Sequence, residues 1–386
     1  MNKQRFRARL AARIAAAVVA LSTLAVATTP AHACTGIVLT ARDGAFVRAR
    51  TLEFAVDPQA QIIVVPRGFV RRGTTPDGAN GLTWRVKYAS IGANALGLPD
   101  LIDGLNEKGL SVGLFYFPGV ARFMPYRPAD ADRTIAAYEL GSWLLDNFAS
   151  VKEIKQRLAD VAVAATPLPA WGFAPPVHYA ATDASGESIV IEYVEGKLHV
   201  YDNPLGVVTN SPDFEWHKTN LGNYMNLTPV NASRKRVAGV DLGPPSQGSG
   251  ARGLPGDFTS PSRFVRAAFF VHSAPKADTS RAAVLQAFHT LNSFDIPKGS
   301  VSERAQREGE PPALEYTMWT TAADLKTLQY FFRTYDNSRV RMVDLSKMDL
   351  DAKSIVGFSM KGGEDIEVLP AGSATVEPIA GAAVTR

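Results

Sequence analysis

The β-forming and helical runs in this chain come in blocks, and that pattern narrows the fold more than any single motif. Strand-like stretches fall at 34–41, 46–54, 61–66, 82–89, 110–117, 177–183, 188–194 and 197–202, with a last hairpin over 316–337. Helical patterns come in two pairs, 133–147 with 151–163 and 263–272 with 279–291. A parallel βαβ fold needs a helix between successive strands, and that alternation is missing. The order strands, two helices, strands, two helices, strands predicts an α+β chain of stacked sheets flanked by helices. Asp43-Gly44 is a two-residue hairpin signal between the first two strands. Ser150 and Glu153 form a capping box. Residues 237–261 are rich in Gly and Pro and read as a long surface loop. Residues 371–386 read as a disordered tail.

The amino terminus has the layout of an export signal. Lys3, Arg5, Arg7, Arg9 and Arg13 precede an apolar stretch at 14–27, and Ala31-His32-Ala33 sets small residues where a signal peptidase inspects the chain. The apolar stretch is short for a membrane span. The expectation is a secretory signal over 1–33, then one catalytic domain over 34–370, exported to the periplasm or medium with no stable membrane insertion. A lipid-anchored Cys34 is the competing reading. It asks for Leu three residues before the cysteine and a small residue just inside that position, where this chain has Ala31 and His32. Removing five basic residues from 41 leaves 36 against 37 acidic ones. A near-neutral chain lacks the basic face that nucleic acid requires, so a nucleic-acid partner is not expected.

Cys34 is the single cysteine. It excludes internal disulfides and thiolate zinc clusters. If the leader is cut after Ala33, one residue carries both a thiol and a free α-amine. The amine has an ordinary pKa of about 7.7–8.0, close enough to that of the thiol to take its proton. That is a nucleophile with its own base. With a two-residue Asp43-Gly44 loop, paired positions sum to 87, so Cys34 opposes Glu53 and Arg50 opposes Ile37. Glu53 then shares the face of Cys34 and Arg50 lies on the other, unless the second strand bulges. No G-x-S-x-G elbow or H-E-x-x-H motif occurs. His178, His199, His217, His272 and His289 are scattered.

Five stretches then fall in register with a known family: "CTGIVL…ARTLEF" (34–54), "DGLNEKGLSVGLFYFPG" (103–119), "VVTNSPDFEWH" (207–217), "GLPGDFTSPSRFVRAAFF" (253–270) and "FRTYDN" (332–337). Together they resemble the choloylglycine hydrolase and penicillin V acylase family, N-terminal-cysteine members of the Ntn hydrolases. The resemblance implies a four-layer αββα sandwich of two antiparallel sheets flanked by helix pairs. It implies hydrolysis of a linear non-peptide amide through a thioester, no cofactor, and a homotetramer. Its substrates are conjugated bile acids, penicillin V and N-acyl homoserine lactones, each joining an apolar acyl group to a small polar amine. By the same resemblance Cys34 is the nucleophile and Arg50 stabilises its thiolate. Glu53 stands where the family usually has Asp, at the amine. Asn106 and Asn210 bind the oxyanion and position the amine, and Arg263 is an active-site arginine. Phe54, where relatives often carry Trp, joins Phe115, Phe117 and His217 as candidate pocket residues. An exported ligand-binding protein on the same scaffold is the alternative.

Overall fold

A computed structural model describes residues 33–303 and 309–370. The expected leader, apart from Ala33, and the expected tail lie outside the described residues. Two antiparallel sheets form the centre. The first runs β14 (Val207–Val208), β1 (Cys34–Thr40), β2 (Phe46–Phe54), β18 (Leu314–Asp324), β19 (Gln329–Thr334) and β20 (Asn337–Asp344), with β17 (Val301–Ser302) also on β18. The second runs β13 (Lys197–Asp202), β12 (Ser188–Val194), β11 (Val177–Thr182), β8 (Ser111–Tyr116), β7 (Leu101–Asn106), β6 (Ser90–Asn94), β3 (Gln61–Val65) and β21 (Val356–Ser359). Three small pairs lie apart: β4 (Val70–Thr74) with β5 (Asn80–Arg85), β15 (Lys235–Val237) with β16 (Val240–Leu242), and the parallel pair β9 (Thr134–Ala136) and β10 (Ala162–Ala164).

Helices cover both outer faces. On the first sheet lie α4 (Ser260–Ser273) and α5 (Ser280–Leu291). Phe264, Ala267 and Ala268 of α4 and Val284, Ala287, Phe288 and Leu291 of α5 recur at helical spacing and join the core there. On the second sheet lies α1 (Leu140–Asn147), followed by α2 (Val151–Arg157). Leu140, Trp143, Leu144, Val151 and Ile154 anchor this pair. A further helix, α3 (Phe214–Leu221), follows β14 and is capped by Asp213. The four-layer αββα sandwich is therefore the fold.

Four local expectations change. The helix expected over 133–147 begins only at Leu140, because Thr134–Ala136 pairs with Ala162–Ala164 as a strand. The helix expected over 151–163 stops at Arg157 for the same reason. Strand pairing across some thirty residues outweighs local helical periodicity here. The strand expected over 82–89 ends at Arg85. The loop expected over 237–261 is exposed, but β16 lies inside its first residues.

The first hairpin is one residue out of its expected register. Cys34 opposes Leu52, not Glu53. The Ala41 N–H donates to the Ala45 carbonyl at 2.9 Å, so Arg42-Asp43-Gly44 is a three-residue loop with Gly44 at φ 83°. A left-handed glycine closing such a loop is the common alternative to a two-residue turn. A slip of one residue exchanges the faces of a strand. Arg50 now opposes Gly36 and shares the face of Cys34, while Glu53 turns to the other face. The irregularity lies instead in β18, between Thr317 and Trp319.

The two sheets meet closely behind the hairpin. A Cβ on Gly36 would stand 2.7 Å from the Phe115 ring and 2.8 Å from Val208, so only glycine fits there. Nearby, Arg48 Nη1 donates to Asp103 Oδ1 at 2.6 Å across the sandwich. Thr321 Oγ1 (2.9 Å) and Tyr330 Oη (2.6 Å) donate to Asp103 Oδ2. Asp103→Ala strands the buried Arg48 charge, and the expected loss of stability is about 3–5 kcal/mol. Equilibrium urea unfolding checks it.

Candidate active site

Cys34 opens β1 with its side chain buried. Its main-chain N–H donates to Asn210 Oδ1 at 2.8 Å. Asn210 follows β14 in the "TNSP" turn, and each end of its amide is committed. Oδ1 also accepts from Arg263 Nη2 at 2.6 Å, and Nδ2 donates to the Tyr116 carbonyl at 2.7 Å. These partners fix which end is oxygen. They leave one Nδ2 hydrogen for another acceptor.

Arg263 sits in the first turn of α4, which Pro261 starts well. Its Nη1 donates to the Cys34 carbonyl and to Thr35 Oγ1 (2.9 Å), and its Nε to the Phe258 carbonyl (2.9 Å). The buried guanidinium thus joins strand, turn and helix around Cys34.

Arg50 stands on the thiol side. Its guanidinium lies 4.3 Å from the Phe115 ring centroid and 5.3 Å from that of Trp319. Nη1 donates to the Leu114 carbonyl and Nε to that of Thr51. Nη2 has no hydrogen-bond partner among the described residues. Burial pushes the Cys34 thiol up, and the charge of Arg50 is the strongest influence holding it down. A backbone hydrogen bond from Tyr116 favours the thiolate as well.

Glu53 approaches from the other face. Thr317 Oγ1 donates to its Oε1 at 2.8 Å, and Oε2 has no partner among the described residues. Burial pushes Glu53 up to about 7 against the pull of Arg263. The Glu53 N–H donates to the Ala33 carbonyl at 3.0 Å, and the Ala33 N–H donates to Glu315 Oε1. Burial likewise pushes Glu315 up to about 7.

So Cys34, Arg50, Glu53, Asn210 and Arg263 come together, and four other candidates do not. Asn106 is a turn residue: Nδ2 donates to the Leu145 and Phe148 carbonyls, both at 2.8 Å, and Oδ1 accepts from Lys108 and Leu110. Its amide is fully used holding the β7–β8 turn to the end of α1, so it cannot meet an oxyanion. Phe115 fills the space between the sheets beside Arg50 and Gly36. Phe117 stacks on His178 with centroids 4.2 Å apart. Strand alternation aims the intervening Leu114 and Tyr116 at the cleft instead. His217 lies behind the site, bonded through Nε2 to the Asn210 carbonyl (2.9 Å) and stacked on Phe264. Burial pushes it down to about 4, so it is neutral and braces Asn210.

Tyr116, Glu315 and Thr317 were not anticipated. The parity of β8, which turns Leu114 and Tyr116 to the cleft, is the sequence signal for Tyr116. Nothing local marks Glu315 or Thr317, which reach the site by long-range pairing with β2.

The thiol borders a cleft of about 100 Å³. Its walls are mainly apolar, including Leu52, Phe54, Ile102, Leu114 and Val177, with Asp100 and Tyr138 among the rest. Phe54 stacks on Trp171 (5.5 Å), and Trp171 on Phe173 (5.7 Å). The site thus sets a sulfur, a cation and fixed amide donors beside an apolar surface.

Comparison with known proteins gives the family. Residues 34–358 match the model of the linear amide C–N hydrolases, choloylglycine hydrolase family. A bile salt hydrolase/transferase of Clostridium perfringens is 32% identical over 326 residues, 83% of this chain and 95% of its own. A second, from Lactiplantibacillus plantarum, is 37% identical over 280 residues, 71% of this chain and 82% of its own. A solved variant of conjugated bile acid hydrolase from Clostridium perfringens superposes with a TM-score of 0.77 at 29% identity, over 87% of this chain and all of that one. The chain is an amidohydrolase that belongs to the choloylglycine hydrolase family of linear amide C–N hydrolases.

Proposed function

We propose that this hydrolase works from Cys34 as its amino-terminal residue, on amides that join a slim apolar acyl group to a small polar amine. The observation that carries the reading is the Cys34 nitrogen held on Asn210 while its sulfur borders an apolar cleft. Cys34 Sγ attacks the amide carbonyl, and its proton passes to the α-amine. The remaining Asn210 Nδ2 hydrogen and the Tyr116 N–H stabilise the tetrahedral oxyanion. Collapse breaks the C–N bond, and the α-ammonium returns the proton to the leaving nitrogen. The α-amine then takes a proton from water, whose oxygen attacks the thioester and frees the acid and the thiol.

The leader supports export to the periplasm or medium. Ala33 and Cys34 are only 7% and 3% exposed in the folded chain.

The cleft favours slim acyl groups. Pockets that enclose drug-sized ligands run roughly 300–1,000 Å³, against about 100 Å³ here. A phenoxyacetyl group or a straight acyl chain suits that width better than a fused steroid. Initial rates on penicillin V, a straight-chain N-acyl homoserine lactone and a glycine-conjugated bile acid test this. The first two are expected to show the higher kcat/KM. A bile-acid preference contradicts the slim pocket, and tight binding of all three without turnover contradicts the mechanism.

A further inference from the structure

The carboxylate of Glu315 has no place in the mechanism above. It is 2% exposed, and its Oε1 accepts the Ala33 N–H. Glu53, also buried, keeps an Oε2 without a partner among the described residues and receives Thr317 Oγ1 on Oε1. Thr317 cannot turn away, because its hydroxyl also accepts the Ile296 N–H at 2.8 Å. Both glutamates therefore hold the residue that precedes Cys34, Glu315 through its carboxylate and Glu53 through its main-chain N–H.

Removing residue 33 changes what those carboxylates face. Glu315 loses the N–H it holds. The Cys34 amide becomes an ammonium that keeps its bond to Asn210 and gains hydrogens directed along the severed bond. Successive main-chain nitrogens lie within about 3.8 Å of each other, a gap that a glutamate side chain closes by changing rotamer. Glu315 Oε1 is the acceptor already at that space, and Glu53, whose main-chain N–H holds the Ala33 carbonyl, carries a second unpartnered acceptor in Oε2 among the described residues.

We propose that Glu315 is a positioning residue for the amino-terminal amine, its carboxylate joining Glu53 and Asn210 around the Cys34 ammonium once residue 33 is gone. This rests on the reading that Cys34 heads the working chain. A carboxylate within about 4–6 Å favours the charged amine, so Glu315 sets the pH at which the amine becomes a base. The other groups around it are Glu53 from β2, Arg263 from α4 and Glu303 beyond β17. Arg50 acts on the Cys34 thiol, Glu303 on Tyr116 of β8, and Asp257 on Arg263. Burial chiefly raises both glutamates, helped by Glu315 at Glu53 and by Glu303 at Glu315, and a neighbouring ammonium favours their charged form.

The single cysteine makes the test direct, since ¹³C-cysteine labelling reports on one residue. The Cα signal is titrated in mature wild type, Glu315→Gln and Glu315→Asp, beside the acid limb of kcat/KM. Amino-terminal sequencing of each sample comes first. In Glu315→Gln the amine titration and the acid limb are expected to move down together by about one pH unit, while Glu315→Asp stays near wild type. If Glu315→Gln does not fold, Glu315→Ser replaces it with the same expectation. A variant that loses activity with both titrations unmoved overturns the role of Glu315, as does one indistinguishable from wild type. An active sample that does not begin at Cys34 overturns the underlying reading instead.

Discussion

Cys34→Ala is expected to lower turnover on the order of 10⁶-fold, the scale seen when a nucleophile that acts as a unit with its base is removed. No other cysteine exists to substitute. The loss is chemical and not structural. The sulfur occupies a buried position in β1, but the strand is held by its ladder to β2 and by Arg263 on the Cys34 carbonyl. Unfolding in urea is therefore expected to shift by only about 1 kcal/mol. Cys34→Ser is the sharper variant, because it keeps the amine, the shape and the contacts with Asn210. It is also expected to be nearly inactive, since a hydroxyl gives up its proton to an amine far less readily than a thiol. Substrate affinity measured on these dead variants reports the apolar cleft alone.

Asn210→Ala carries the second largest effect, a fall in kcat of about 10³-fold or more. Loss of one oxyanion donor costs about 10²–10³-fold by itself. The same side chain also holds the Cys34 nitrogen and one arm of Arg263. Removing it leaves the buried Arg263 Nη2 unsatisfied, at about 1–3 kcal/mol of stability. Asn210→Asp separates these roles. It keeps an acceptor for the nitrogen and the guanidinium but loses the Nδ2 donor to the Tyr116 carbonyl. It is expected to recover stability without recovering kcat, and stopped-assay rates beside urea unfolding measure both.

The sandwich was legible because strand and helix blocks are a coarse pattern, and the hairpin failed because register is a fine one. One glycine in the left-handed region lengthened the loop by a residue and exchanged the faces of Arg50 and Glu53. The site was legible where motif and geometry coincide, at Cys34, Arg50, Glu53, Asn210 and Arg263. It failed at Asn106, a polar residue in a conspicuous turn whose amide is spent on α1 and its own loop. Phe115 and Phe117 failed on the parity of β8, and His217 failed because a buried neutral ring can brace a site without lining it. Glu315 was invisible because only the pairing of β18 with β2, and of β2 with β1, carries it to the residue before Cys34.

The amino terminus of the active protein decides the central claim. Intact mass and stepwise amino-terminal sequencing of a preparation with measured amidase activity are expected to give a chain that begins at Cys34, unmodified, with activity lost in proportion to alkylation of that residue. An active preparation that retains Ala33 or any residue before it, or whose cysteine carries fatty acid on its amine, contradicts the account.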